Sequence, residues 1–303
     1  MAGVRTVVVQ GGTDGIGKGL ASACLRRGDR VLVIGRSERK GEEFLDAARA
    51  FGASDRAEFL AADLSTVEAS MRVVEEITSR FDRVDALVLC ARHYSWRRQV
   101  TPDGFEATFA LFYLSRFLFC HGLSESLGRA QAPVIVNVAG PGGSVEWMRW
   151  DDLGLSEGYD GQLALAQCGV ANDLLGVEFA RRHASTGIRY VLVNPGTVAT
   201  SFSGDYDPAT RAQIEAMKRM GAPVSQAIEP LMAILDDSPA RALSAFAGGE
   251  PLPIDDTGSF DAEAARRLDR LTRQMLHDAH PQTAAHGSLT TMIDSAGSKK
   301  ADH

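Results

Sequence analysis

Short runs of aliphatic residues alternate along the chain with longer stretches in which apolar residues recur every three or four positions. Six of the runs are almost wholly apolar, which is typical of parallel strands buried on both faces of a sheet. These strands are predicted at 5–10, 30–35, 57–62, 85–91, 133–139 and 189–194. Helices are predicted near 15–28, 38–52, 65–81, 103–128, 160–183, 208–220, 224–236 and 261–279. Alternation of this kind predicts an α/β fold, a doubly wound parallel sheet with helices on both faces.

Composition and charge exclude several classes of function. The chain has 303 residues and a net charge of −7, without a basic stripe, so nucleic acid is not an expected partner. The first apolar run is too short for a membrane span or a signal peptide, and we therefore expect a cytoplasmic protein. The four cysteines are scattered, with no CxxC pair and no metal-ligand spacing, so we expect reduced thiols and no metal site.

A glycine-rich turn directly follows the first predicted strand. Gly11, Gly15 and Gly17 have the spacing G-x-x-x-G-x-G between a strand and a helix. Glycine lets backbone turn tightly and approach a pyrophosphate, and the helix that begins there presents N–H groups and the positive end of its dipole. Because the strand–helix context is the one that such a motif requires, we predict a dinucleotide site here. Its residues are Gly11, Thr13, Asp14, Gly15, Ile16 and Gly17.

The end of the second strand indicates which dinucleotide binds. An acidic residue there would bind the ribose hydroxyls of NAD, but Arg36 and Ser37 stand in its place. A guanidinium suits a 2′-phosphate, so the sequence favours NADP(H) over NAD(H). The alternative is a solvated Arg36 at the start of a helix. Asp63, followed by Leu64, closes the third strand and is expected either to bond the adenine or to cap the next helix.

The chain shows no internal repeat and no convincing linker before about residue 200, which predicts one domain over 1–279. The nucleotide-binding half is expected over about 1–140 and the substrate side over about 141–279. Residues 280–303 are small and polar, and a flexible C-terminal tail is expected there.

Several motifs together make the chain resemble the short-chain dehydrogenases/reductases, in particular the branch similar to retinol dehydrogenases. The resemblance runs from about residue 4 to 255. It rests on the glycine motif, Arg36, Asp63-Leu64 and four longer segments: TPDGFEATFALFYLSRFLF, VIVNVAG, VANDLLGVEFARR and VNPGTVATSF. It implies a Rossmann-type sheet of about seven strands, NAD(P) binding, and hydride transfer to or from a carbonyl or alcohol.

The resemblance also implies further contacts. It places Cys90 and Ala91, after the fourth strand, beside the cofactor, and it extends the cofactor site to Pro195, Gly196, Thr197 and Thr200. It implies homodimers or homotetramers formed through the helices near 103–128 and 160–183. The expected partner is otherwise a small-molecule substrate.

All four positions of the family's catalytic tetrad are replaced. In the family a Tyr exchanges the proton at the substrate oxygen, a Lys lowers the pKa of that Tyr, and a Ser and an Asn complete the site. The Asn position falls on Phe112 and the Ser position on Gly140; counting back from Asn172 places the Tyr on Leu165 and the Lys on Gly169. The chain's lysines are at 18, 40, 218, 299 and 300, so no slip of alignment restores the pair.

Other side chains are candidates for the missing acid. His93 and Tyr94 lie in the loop after the fourth strand, and Ser144 and Tyr159 lie on the expected substrate side. The alternative is that the loop is merely exposed, with an aromatic anchor. Arg92 replaces a glycine close to the cofactor, and if it blocks the groove no cofactor binds. Gly169, inside a helix, costs roughly 1 kcal/mol relative to Ala, which indicates either a close approach or drift.

Three functions therefore stay open, because function depends on the site and not on the fold. The first is an atypical NADP(H)-binding oxidoreductase that acts on a bulky, mostly apolar small molecule. The second is a non-redox enzyme, such as a cyclase, isomerase or dehydratase, that reuses the same pocket. The third is a non-catalytic dinucleotide-binding or regulatory pseudoenzyme.

Overall fold

The computed structural model describes residues 3–255 and 257–280. A central sheet has the strand order β10-β9-β7-β6-β4-β1-β2-β3, in which only β10 is antiparallel to its neighbour. The main strands are β1 (Thr6–Gln10), β2 (Arg30–Gly35), β3 (Ala57–Ala61), β4 (Ala86–Leu89), β6 (Val134–Val138), β7 (Arg189–Asn194), β9 (Leu243–Ala247) and β10 (Glu250–Pro251). A separate pair consists of β5 (Tyr94–Ser95) and β8 (Gly204–Asp205). The doubly wound α/β fold is confirmed.

Helices cover both faces of the sheet. They are α1 (Gly15–Arg27), α2 (Glu38–Ala50), α3 (Val67–Arg80), α4 (Ala107–Phe109), α5 (Ser115–Gly122), α6 (Ser124–Gly128), α7 (Gly161–Arg182), α8 (Pro208–Met220), α9 (Val224–Asp236) and α10 (Ala262–Ala279). Alternate strand residues point to opposite faces, so Val7 and Val9 pack under α1, α2 and α9 while Val8 packs under α3, α5 and α7. Both cores consist mainly of apolar side chains, which explains the apolar runs in the sequence.

The single helix predicted near 103–128 is wrong in detail. Glu106 ends the preceding loop, and its buried carboxylate accepts hydrogen bonds from the backbone N–H groups of Thr108 (2.9 Å) and Phe109 (2.7 Å), so the helix begins at Ala107. A π-helical turn, Ala110–Leu114, then separates α4 from α5. Such turns are rare and widen the backbone locally. Here the turn carries Phe112, the residue predicted to replace the family's Asn.

Helix α10 occupies the outer surface of the two long helical segments. Tyr113 Oη lies 2.7 Å from Thr272 Oγ1, and the carboxylate of Asp269, 4% exposed, accepts a hydrogen bond from Arg182 (2.7 Å). Leu268 packs among the side chains that line the seam of the three helices. Helix α10 thus covers part of the two helical segments through which homodimers or homotetramers are predicted, and the oligomeric state stays a prediction.

The expected tail lies outside the described residues apart from His280. Among the residues that the structure describes, no helix is both long enough and apolar enough to cross a membrane.

Candidate dinucleotide-binding site

One cleft of about 720 Å³ opens along the carboxyl ends of the parallel strands. Ligands of open α/β sheets bind at this edge, where the strand order reverses between β1 and β4. All sixteen predicted cofactor residues line this cleft. They are Gly11, Thr13, Asp14, Gly15, Ile16, Gly17, Arg36, Ser37, Asp63, Leu64, Cys90, Ala91, Pro195, Gly196, Thr197 and Thr200.

The glycine turn brings backbone against backbone. A Cβ at Gly11, where φ is +75°, would lie 2.6 Å from the backbone nitrogen of Ala91, and one at Gly17 would lie 2.3 Å from the carbonyl oxygen of Gly11. No side chain fits at either position. The backbone N–H groups in the first turn of α1 therefore border the cleft without a side chain from these positions in between. The residues present therefore suit a pyrophosphate at this helix N-terminus.

Asp14 ties the turn to two other segments. Its carboxylate accepts a hydrogen bond from Gly15 N (2.7 Å) as the N-cap of α1, forms an ion pair with Lys40, and accepts a hydrogen bond from Ser201 Oγ (2.9 Å). Burial opposes the charged form of Asp14, but the contacts with Lys40 and Ser201 outweigh it and hold the pKa below its usual value. Asp14 is thus an anion at neutral pH that neutralises Lys40.

Once Lys40 is paired with Asp14, Arg36 is the unpaired cation among the described residues at this end of the cleft. It is exposed, and within residues 3–255 and 257–280 it forms no ion pair or hydrogen bond through its side chain. The neighbouring Arg39 is paired with Glu43 along α2 and does not line the cleft. An unpaired guanidinium at the end of β2 is available to an anionic group such as a phosphate.

Asp63 and His93 lie at the same end. Asp63 Oδ1 accepts hydrogen bonds from Ser65 N (3.1 Å) and Ser65 Oγ (2.8 Å), so it stabilises the turn before α3, whose N-cap is Thr66. His93 Nδ1 lies 2.9 Å from Ser203 Oγ. Burial, and then the charge of Arg36, lowers the pKa of His93, so its ring is neutral at pH 7. The effect of the Arg36 charge on the ring places His93 near Arg36 in the cleft lining.

The tetrad positions divide between the cleft and the core. Phe112 and Gly140 line the cleft, whereas Leu165 and Gly169 do not. A Cβ at Gly169 would lie 3.6 Å from the carbonyl oxygen of Gly140, an ordinary contact. Crowding by the described residues therefore does not require glycine at 169.

The other candidate acids lie outside the cleft lining. Tyr94 stacks on Tyr206 with ring centroids 4.7 Å apart, and Ser144 caps a short 3₁₀ turn. Tyr159 Oη donates to the carbonyl oxygen of Ser95 (2.9 Å), and burial with the nearby Glu106 carboxylate raises its pKa. Moreover, segment 141–161, expected on the substrate side, contributes none of the lining residues. The described lining thus holds no tyrosine.

Sequence reasoning missed a clasp, by which we mean the pair β5–β8 with its two flanking loops. Tyr94 N donates to the carbonyl oxygen of Ser203 (3.1 Å) and Trp96 N to that of Asp205 (3.1 Å). The clasp rests on the first residue of α7, because a Cβ at Gly161 would lie 2.4 Å from the carbonyl oxygen of Ser95. It therefore lies across the N-terminus of the helix that carries positions 165 and 169.

Arg92 does not close the groove. It is an exposed residue of the lining, and the same cleft continues from Arg36 past Arg92 to Phe112 and Gly140. The residues predicted to hold a dinucleotide therefore all line one continuous cleft.

Comparison with known proteins identifies the relatives of this chain. A family model described as short chain dehydrogenase matches residues 5–151. A protein from Streptomyces sp. (strain C5), designated daunorubicin C-13 ketoreductase DnrU, is 32% identical to this chain. The match covers 65% of this chain and 67% of that protein. Human polyprenol dehydrogenase is 29% identical over 65% of this chain and 61% of its own length. Retinol dehydrogenase 12 of Mus musculus is 28% identical over 66% and 63%. The match thus spans about three fifths to two thirds of these relatives.

Solved structures share the fold. A protein from Mycobacterium paratuberculosis described as uncharacterized superposes with a TM-score of 0.65 at 26% identity, over 89% of this chain and 92% of that one. A short-chain dehydrogenase from Escherichia coli CFT073, complexed with NADPH, gives 0.61 at 19% identity, over 81% and 97%.

Proposed function

The chain belongs to the short-chain dehydrogenase/reductase family, and on that premise we propose that it is an NADP(H)-dependent oxidoreductase that works without the family's Tyr-Lys-Ser-Asn tetrad. One observation carries the proposal. The sixteen predicted cofactor residues line a single cleft, and Arg36 is the unpaired cation at its end. The solved relative from Escherichia coli, which holds NADPH in the same fold, supports this assignment.

The residues present fit a nicotinamide dinucleotide. The glycine turn at Gly11 and Gly17 packs backbone against backbone without room for a Cβ, so no side chain at these positions covers the first turn of α1, which would hold the pyrophosphate. Arg36 and Ser37 would hold a 2′-phosphate, and Pro195 with Thr197 would border the nicotinamide. When bound, the dinucleotide supplies or accepts a hydride.

Proton transfer is the part of the reaction that this chain has changed. The polar lining that precedes Phe112 in the chain includes His93, Ser95, Gln99 and Thr108. The two hydroxyls and the amide do not exchange a proton near pH 7, and the His93 ring is neutral at pH 7 and lies within hydrogen-bond distance of Ser203 Oγ. We propose that water in the open cleft protonates the substrate oxygen. Loss of a positioned acid costs about 10²–10⁴ in rate, so turnover should be slow.

The substrate is proposed to be bulky and mostly apolar. The support comes from the names of the relatives, which refer to polyprenol, retinol and daunorubicin. In this chain Gly140 lines the open cleft, whereas Ser95 and Tyr94 lie against Gly161, so a bulky molecule would enter beside the clasp.

A second function is favoured by that same contact. Because the clasp covers the N-terminus of α7 and His93 is the one candidate acid in the described cleft lining, the chain suits a regulatory protein that binds a dinucleotide without turnover. The non-redox enzyme loses support, since segment 141–161 and its carboxylates lie outside the cleft lining.

Turnover separates the two functions. Purified protein is incubated with NADPH and a panel of bulky ketones and enones, and loss of the reduced nicotinamide is followed by its near-ultraviolet absorbance. Consumption that depends on the acceptor supports the oxidoreductase. Binding of NADPH without consumption by any acceptor supports the regulatory protein instead.

A further inference from the structure

A buried arginine lies directly beneath the cleft. Arg116, on α5, is fully buried, and its guanidinium donates to the carbonyl oxygens of Ala91 (3.0 Å) and Val138 (3.0 Å) and to Asn137 Oδ1. It also lies over the Phe112 ring, 4.5 Å from the centroid. Ala91, Val138 and Phe112 are themselves cleft residues, so Arg116 stands one layer behind the lining at the tetrad end.

This cation has no counter-ion in the part of the chain that the structure describes. No ion pair among the described residues includes Arg116. The groups around the guanidinium are the Asn137 amide, the Tyr190 hydroxyl and the thiols of Cys90 and Cys120, and Arg92 is a further cation near it. Burial raises the pKa of each of these two thiols to about 12, so neither supplies a thiolate at neutral pH. The pKa of Arg116 itself is lowered to about 10 by burial, which leaves it protonated.

A buried charge without a partner is unfavourable for folding. Hydrogen bonding alone does not explain a charged residue here, because a neutral amide side chain would donate to two of these three oxygens without burying a charge. Arg116 therefore does more than tie β4 to β6. A neutral donor cannot supply a positive electrostatic potential at Phe112 and Ala91, whereas Arg116 does. The resemblance to the family implies a lysine near this place, and Gly169 stands at that lysine's predicted position.

We propose that Arg116 makes the cleft select the reduced form of the dinucleotide. The oxidised nicotinamide ring carries a positive charge and the reduced ring is neutral, so an unneutralised guanidinium behind the lining disfavours the oxidised form only. In a protein, the repulsion between two unit charges about 10 Å apart raises a dissociation constant by about tenfold. The inference rests on the proposed dinucleotide binding and assigns Arg116 a specificity-determining role.

The test is the ratio of two dissociation constants, Kd for NADP⁺ over Kd for NADPH, measured by calorimetry. Arg116→Gln removes the charge and keeps donors, and Arg116→Lys keeps the charge and loses the planar fork. We expect the ratio to fall about tenfold in Arg116→Gln and to stay near the wild-type value in Arg116→Lys. Asn137→Asp is a second route, because it places a carboxylate beside the guanidinium and should lower the ratio without removing Arg116.

A purely structural Arg116 predicts another pattern. Both dissociation constants would then rise together in every variant, and an unchanged ratio in Arg116→Gln, or in Asn137→Asp where Arg116→Gln does not fold, overturns the inference. That result leaves the proposed function intact, since both dinucleotides still bind. Absence of binding to the wild-type chain would instead refute the proposed function, and this inference with it.

Discussion

Two glycines of α7 make opposite predictions for the same substitution. At Gly161 a new Cβ would lie 2.4 Å from the carbonyl oxygen of Ser95 and 3.0 Å from the Tyr94 ring. At Gly169 the nearest atom would be 3.6 Å away. Alanine at 161 therefore forces β5 outward by roughly 1 Å, since carbon–oxygen contacts are seldom below about 3.3 Å, whereas alanine at 169 fits without movement.

The magnitudes follow from these contacts. Gly169→Ala should raise the free energy of unfolding by about 0.5–1 kcal/mol, because glycine inside a helix is unfavourable by that amount. Gly161→Ala should lower it by about 1–3 kcal/mol, the usual cost of overpacking, because the displaced strand is held to β8 by the hydrogen bonds from Tyr94 N and Trp96 N.

Equilibrium unfolding in urea, followed by circular dichroism, measures both variants against the wild type. Gly169→Ala serves as the matched control, since the substitution and the helix are the same. If Gly161→Ala is as stable as Gly169→Ala, then β5 does not rest on the N-terminus of α7, and the covering of that helix by the clasp is refuted.

Three further predictions concern the opposite end of α7 and the surface that α10 covers. Burial, with Arg182 and Arg273 nearby, lowers the pKa of His183 to about 4 from 6.5, so between pH 7 and pH 5 the unfolded chain binds a proton at His183 that the folded chain does not bind. His183 alone should therefore lower stability by about 2 kcal/mol between pH 7 and pH 5, in addition to the loss from His121, whose pKa burial also lowers. In urea titrations at both pH values, His183→Phe should reduce the total loss by about that amount. Asp269→Asn should destabilise the fold by about 2 kcal/mol, because Asp269 neutralises Arg182 and Arg273, while the exposed Glu263→Gln should change thermal unfolding little. If subunits associate only through the surface of α5 and α7 that α10 covers, light scattering of the full chain should give the mass of one chain, and a dimer at micromolar concentration would mean that they associate through another surface or displace α10.

Local patterns were sufficient to predict most elements of the sheet. The strands at 30–35 and 189–194 and the helices at 208–220 and 224–236 lie where the pattern places them. The cofactor residues could be predicted to line one cleft because the carboxyl ends of neighbouring parallel strands meet at one edge, so residues distant in sequence converge there.

The clasp and Arg116 could not be predicted in the same way. Strands β5 and β8 are two residues each and lie more than a hundred positions apart, so neither shows a period and their pairing leaves no local signal. The sequence around Arg116 looks like an ordinary helix, and only the packing shows that its guanidinium faces inward without a carboxylate. The π-helical turn likewise depends on tertiary packing, because Asn172 Nδ2 donates to the carbonyl oxygen of Phe112 (2.8 Å).

Calorimetric binding of NADPH and NADH tests the central claim most directly, using wild type, Arg36→Ala and the neighbouring control Arg39→Ala. We expect NADPH to bind more tightly than NADH, and Arg36→Ala to weaken NADPH by about tenfold to a hundredfold, as the loss of a charged hydrogen bond of about 1.5–3 kcal/mol requires. NADH binding should stay nearly unchanged in Arg36→Ala, and both affinities should stay unchanged in Arg39→Ala. Absence of binding of either dinucleotide to the wild type would contradict the account, and equal weakening of both by Arg36→Ala would contradict the role of Arg36.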